Sequence, residues 1–110
     1  MSSLTAIMAL KALDGLAMRA EVTSQNIANA NTPGYRPMKV SFEDALAAAS
    51  TDGADAVEAM QPKIETDLSQ ASGVRLDMQM ADASITSARY SALIEILGRE
   101  SQQMRAVLGI

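Results

Sequence analysis

The 110-residue chain contains no histidine and no cysteine. Without histidine there is no side chain poised to exchange a proton near neutral pH, and without either residue the usual zinc ligands, thiol nucleophiles and disulfides are excluded. Catalysis would have to rest on carboxylates, lysine or serine. Asp14 and Glu21 lie within one long periodic segment, and Asp52, Asp55 and Glu58 fall in a polar run that reads as solvated charge. The sequence therefore predicts a protein that is not an enzyme, with no catalytic residue, no metal site and no cofactor.

Tryptophan is also missing, and the aromatics amount to one phenylalanine and two tyrosines. The large apolar residues are aliphatic or methionine, and twenty residues are alanine, which favours helix packing over a sheet. Nine basic residues against thirteen acidic ones leave a net charge of −4, with the basic residues scattered. That pattern offers no footprint for a phosphate backbone, so nucleic acid is not expected as a partner. No apolar run reaches the roughly 18 residues that a membrane-spanning helix needs. Met1-Ser2-Ser3-Leu4-Thr5-Ala6 lacks the basic start and apolar core of a secretory signal, so no cleavable signal peptide is expected.

What is present is periodicity. Ala6, Ala9, Leu13, Leu16, Ala20, Thr23, Ile27 and Ala30 recur at alternating steps of three and four, a heptad seam along one helix of about 25 to 28 residues, near 40 Å long at 1.5 Å per residue. Ile7, Leu10, Ala17 and Ala28 lie off the seam, and Lys11, Asp14, Arg19 and Glu21 are the only charges before Arg36. A helix so poor in charge is unsuited to a fully solvated outer face.

The helix meets a stop in Asn26-Ile27-Ala28-Asn29-Ala30-Asn31-Thr32-Pro33-Gly34-Tyr35. The residue before a proline is driven out of the helical region, so Thr32 is the furthest the helix can run. Thr32 to Tyr35 fits a type II turn, with Pro33 supplying its fixed φ and Gly34 the positive one. Asn26, Asn29 and Asn31 sit where short amides can satisfy carbonyls that have lost their helical partners.

Beyond the turn, Ser41 with Asp44 reads as a capping box for a short helix over about residues 42–49, with Phe42, Ala45, Leu46 and Ala49 on one face. Residues 50–62 read as a polar, weakly ordered connection. Ile64, Thr66 and Leu68 alternate with Glu65 and Asp67 as one candidate strand, which would need a local partner or another subunit. After the breaker Ser69 to Gly73, Asp77 is the expected N-cap of a final helix of about 30 residues. Along it Leu76, Ala83, Thr86, Tyr90, Leu93, Leu97, Glu100, Met104 and Val107 repeat the seam spacing, while Ile85, Ile94, Ile96 and Leu108 widen it.

The expected fold is all-α: two long terminal helices packing as an antiparallel coiled-coil-like hairpin, with a short helix and an irregular or weakly β central segment. The expected divisions are residues 1–35, 36–75 and 76–110. Two helices burying one stripe each do not offset an ordering cost of about 1.5 kcal/mol per residue, and with no cysteine or metal cluster the remaining staple is association. A marginal monomer that assembles is the expectation.

The Asn26 to Tyr35 motif, following an Ala/Leu-rich helix, resembles the N-terminal motif of the flagellar axial proteins, the rod, hook and hook-associated subunits. Ser41-Phe42-Glu43-Asp44-Ala45-Leu46, and Leu76-Asp77-Met78-Gln79-Met80-Ala81 leading to Arg89-Tyr90-Ser91-Ala92-Leu93, narrow the resemblance to the proximal rod subunits. It covers roughly residues 10–48 and 74–108. The resemblance implies a structural subunit of the bacterial flagellar basal body, packing its terminal helices into a tubular drive shaft in the periplasm and exported by the flagellar type III route. The partners it implies are further copies of the chain, other rod subunits, the rod adaptor protein, the export gate and the membrane ring around the rod.

On that reading Asn26, Asn29, Asn31, Pro33, Gly34 and Tyr35 form an assembly turn, and Leu13, Leu16, Ile27, Tyr90, Leu93, Leu97 and Met104 make the helix contacts. Phe42 and Leu46, four apart, resemble the element by which early rod and hook subunits are recognised at the export gate. The rival reading is a soluble helical binding module, or a secretion chaperone, of closed stoichiometry.

Overall fold

A computed structural model of the chain describes residues 2–109. Its elements run α1 (Ser3–Ala28), β1 (Met38–Ser41), α2 (Glu43–Ser50), α3 (Ala54–Ala59), β2 (Lys63–Thr66), a 3-10 turn (Leu68–Gln70) and α4 (Leu76–Leu108). The molecule measures 58 × 28 × 14 Å. Its long axis follows the two terminal helices, which pack antiparallel: Asn26 contacts Gln79, and Ala12 and Leu16 share a groove with Leu93 and Ile96.

Ser2 caps α1, its hydroxyl accepting from the Thr5 amide at 3.0 Å. The helix stops at Ala28, four residues short of the limit set by Pro33, because Asn29 takes over its end: the Asn29 side chain donates to the Gln25 carbonyl at 2.9 Å and its backbone leaves the helical region. The Asn29 backbone amide donates to the same carbonyl at 3.0 Å, so main chain and side chain of one residue close the helix end together. Tyr35 N–H then donates to the Thr32 carbonyl at 3.2 Å with Gly34 at φ 75°, as the type II turn requires.

The central segment is more ordered than its composition predicts. β1 and β2 form an antiparallel pair in which Val40 opposes Ile64 and Ser41 opposes Lys63. The local alternation that marks β2 thus finds its partner inside the chain, while Leu68 leaves the strand for the 3-10 turn. The stretch expected to be a loose connection contains α3, whose Val57 is completely buried. A single valine sealed against α1 gives this short helix the tertiary support that its propensity lacks. Ser41 does not cap α2; as the last residue of β1 it turns its hydroxyl to the Glu65 carboxylate at 3.0 Å, and Phe42 occupies the cap position without a side-chain cap bond. Similarly Arg75, not Asp77, stands at the N-cap of α4, its amide taken by the Gln70 side chain at 2.8 Å.

The hydrophobic core lies between α1 and the central segment. Leu16, Val22, Val40, Phe42, Leu46 and Val57 are its buried members, with Leu4, Ile7, Met8 and Met60 packed around them and Leu93 the contribution from α4. Phe42 sits so close to α1 that a Cβ on Gly15 would lie 2.6 Å from its ring. Glycine in a helix interior costs about 1 kcal/mol relative to alanine. Here it is what lets an aromatic ring reach the helix backbone. The α4 helix, by contrast, is buried only at Gln79 and Thr86.

Candidate functional site

Asn26 is the centre of the joint at the end of α1. Its side chain is 1% exposed and every polar atom of it is used. The amide nitrogen donates to the Met38 carbonyl at 2.8 Å and to Gln79 Oε1 at 3.1 Å. The oxygen accepts from the Tyr35 hydroxyl at 2.9 Å and from the Met38 amide at 3.1 Å. One side chain therefore ties α1 to the turn, to the first residue of β1 and to α4. A buried amide of this kind is stabilising only when all its partners are present, because each orphaned group carries its full desolvation cost.

The network continues. Gln79 Nε2 donates to Gln70 Oε1 at 3.3 Å, and Gln70 Nε2 donates to Asp67 Oδ2 at 2.8 Å. Burial pushes the Asp67 carboxyl up, but hydrogen bonds from Ser69 and Gln70 outweigh it and hold the group below the ordinary carboxylate range. The Asp67 backbone N–H donates to the Pro37 carbonyl at 2.9 Å, closing the loop onto the segment before β1. Among the described residues no buried side-chain nitrogen or oxygen lacks a partner.

A second polar anchor joins α1 to α2. Arg19 donates to both carboxylate oxygens of Glu43, at 2.7 and 2.6 Å, and to the Val40 carbonyl at 2.8 Å, while its guanidinium lies 4.8 Å from the centre of the Phe42 ring. The hydrogen bonds from Arg19 hold Glu43 down at about 2, against an ordinary 4.5. Arg89 of α4 approaches the same carboxylate at 4.0 Å.

The residues expected to form the assembly turn fall into two groups. Asn26, Asn29 and Tyr35 are bonded into the joint, with Pro33 and Gly34 shaping the turn beside them; Asn31 is exposed. Of the expected helix contacts, Leu13 and Leu16 are buried, Ile27, Leu93 and Leu97 are half-buried, Tyr90 is 38% exposed and Met104 is 54% exposed. Phe42 and Leu46 are both buried in the core. Sequence reasoning did not single out Gln70, Gln79 or Arg19. Gln79 could have been noticed as a polar interruption between Met78 and Met80, but nothing local announces that Gln70 meets it.

The chemistry of this site is that of a joint. Among the described residues no group of three or more acidic residues gathers as metal ligands would, and none of the helices is long and apolar enough to cross a membrane. Most of the exposed apolar surface is on α4, where Ile85, Ile94, Ile96, Met104, Val107 and Leu108 are 49 to 82% exposed; Leu10, Ile64 and Leu68 are exposed elsewhere.

Residues 4–36 match the family model described as flagella basal body rod protein. The match begins within the first turn of α1 and ends just past Tyr35, so it spans the helix and the turn that follows it. It supports a structural role in the flagellar basal-body rod, in company with other rod subunits, and the family is not a class of enzymes. No curated protein matches the chain.

Proposed function

We propose that the chain is a proximal rod subunit of the bacterial flagellum, of the FlgB type, whose terminal helices pack with those of neighbouring subunits into a tubular shaft that carries torque from motor to hook. The observation that carries this reading is the coincidence of the rod-family match with the α1-plus-turn unit, residues 4–36. The blocks Ser41 to Leu46 and Arg89 to Leu93, quoted above, favour the proximal rod over other axial positions.

The physical argument concerns the apolar face of α4. Val107 is 82% exposed and Leu108 61%, at a helix end that no described residue covers. Exposed apolar groups in continuous array mark contact surfaces. Subunits joined by a contact that does not close on itself build an open helical array, which is what a shaft requires. Close packing of many helices per cross-section would then resist shear, because dense interiors transmit strain.

In this reading the Asn26 joint fixes where α1 leaves the shaft and the central segment, residues 36–75, begins. The periplasmic location, export without a cleavable signal, and contacts with the rod adaptor, the export gate and the membrane ring belong to the same proposal. Phe42 and Leu46 are buried in the folded chain, so export recognition through them would act on the chain before it folds.

The test is genetic and physical. A strain lacking the gene should be non-flagellate and stop at the membrane ring, and the wild-type gene should restore the rod, whereas Met104→Asp with Val107→Asp should not. Light scattering on the purified chain should show size growing with concentration. A dimer indifferent to concentration, together with intact rods in the deletion strain, would favour the closed binding module instead.

A further inference from the structure

We infer that the buried amide pair Asn26–Gln79 is the register key of the α1–α4 helix pair, and that it couples the position of α4 to the folded state of the central hairpin. This does not depend on the rod reading.

The need for a key follows from the side chains along the helix interface. The groove between the helices is lined by Leu16, Ala17, Ala20 and Ser24 on α1 and by Ala83, Thr86, Ser87, Tyr90 and Ser91 on α4, around an open volume of about 480 Å³. Apart from Leu16, Thr86 and Tyr90 its side chains are alanine and serine, which interlock weakly, so sliding α4 by a turn or a heptad exchanges most of these contacts for similar ones. Coiled coils whose apolar seams leave alignment open have it set by a single buried polar residue, at a cost in stability. The apolar contacts that oppose sliding are few: Leu93 is the partly buried apolar residue of α4 packed against the core, and Ile96, which shares a groove with Leu16 and Phe42, is half exposed.

The amide pair is sensitive to alignment in a way that the groove is not. Asn26 donates to Gln79 Oε1 at 3.1 Å, and Gln79 Nε2 donates to Gln70 Oε1 at 3.3 Å. Moving α4 by one turn, about 5.4 Å, breaks both bonds, so that Gln79 loses its two amide partners and Asn26 loses one of its four bonds. It would also drag the Arg75 amide from Gln70, which accepts it at 2.8 Å.

The second half of the inference rests on the rest of the chain of bonds. Asn26 is itself held by Tyr35 and by both backbone groups of Met38, and Gln70 is held by Asp67, whose backbone bonds to Pro37. Both amides that grip Gln79 are thus oriented by the two strands' flanking residues. Where the hairpin is unfolded, neither is aimed, and α4 is free to shift along α1.

The chain has no cysteine, so labels can be placed at will. Cysteines replacing exposed Ser3 and Ala81, near opposite ends of the pair, carry spin labels whose separation changes to first order when α4 slides. Pulsed dipolar spectroscopy on the full chain should give one narrow distance. Adding Asn26→Leu and Gln79→Leu together removes the key without orphaning a partner within the pair; a second population displaced by about 5 or 10 Å, one turn or one heptad, is expected with helical content retained. A single unchanged distance in that folded variant overturns the inference. Should the double variant not fold, hydrogen exchange of the unaltered protein decides. Side-chain amide protons of Asn26 and Gln79 should exchange only in the opening that exposes the first turns of α4, and exchange at the free-amide rate while α1 and α4 stay protected would overturn it.

Discussion

At the end of the helix pair where α1 stops, Asn26, Gln70 and Gln79 are 1 to 3% exposed and fully hydrogen-bonded; at the other end Met104, Val107 and Leu108 are 54 to 82% exposed. Counting along both helices from the Asn26–Gln79 contact, α1 begins opposite about residue 102, so the last turns of α4 reach past it. Among the described residues, one end has buried polar groups that are all paired, and the other has exposed apolar groups. The closed end is therefore the part that one chain specifies alone, and the open end is where the proposed contacts with neighbouring subunits would be made. Between them lies the core around Phe42, which is where the free energy of folding is concentrated.

Removing that core should have the largest effect. Phe42→Ala takes a ring from between Gly15 and Arg19, and should cost about 3 to 5 kcal/mol, read as the loss of a cooperative denaturant transition. At the closed end, Asn26→Ala leaves the Tyr35 hydroxyl, the Met38 backbone and Gln79 without their common partner; a loss of about 2 to 3 kcal/mol in chemical denaturation is expected. Gly15→Ala gains helix propensity but drives a methyl group into the Phe42 ring, with a net loss of about 1 to 2 kcal/mol. An unchanged midpoint would mean that the ring has another place to go.

The Glu43 clamp makes a smaller, pH-dependent contribution. Its folded value is depressed from 4.5 to about 2, so the stabilisation is complete above pH 4.5 and is lost as the pH falls toward 2. The carboxylate is half exposed, and solvent screening reduces the effect to about 1 kcal/mol or less. Glu43→Gln should therefore lower the stability slightly at pH 7 and flatten the acid limb of the curve. At the open end, Met104→Ala and Val107→Ser should shift the isolated chain by no more than about 0.5 kcal/mol while weakening its self-association. That last pair sharpens the comparison most, because it separates surface that stabilises the monomer from surface that awaits a partner.

Much of the fold was legible for simple reasons. Three-and-four spacing in α1 and α4 is a strong signal over 26 and 33 residues, and Pro33 with Gly34 marks a turn wherever it occurs. The β2 alternation was visible, but its partner β1 was not: Met38 to Ser41 also alternates apolar with polar, yet over only four residues, too few for a periodic signal to stand out. α3 was missed because its six residues are held by one buried valine rather than by any helical pattern. The caps expected at Ser41 and Asp77 were reasonable locally and lost to distant competitors, Glu65 for the hydroxyl and Gln70 for the start of α4.

The sequence by itself determined the two long helices, the place where the first must end, the absence of histidine and cysteine chemistry, and an excess of apolar surface over what one helix pair can cover. All of these are local: periodicity, proline geometry and composition act within a few turns of chain. Only the tertiary structure decided that the core lies between α1 and the central hairpin, and that Asn26 meets Gln79 and Gln70 in one closed set of hydrogen bonds. Those contacts join residues 53 and 9 positions apart, and no local pattern encodes them, because an amide finds its partner only when the folded chain brings the two together.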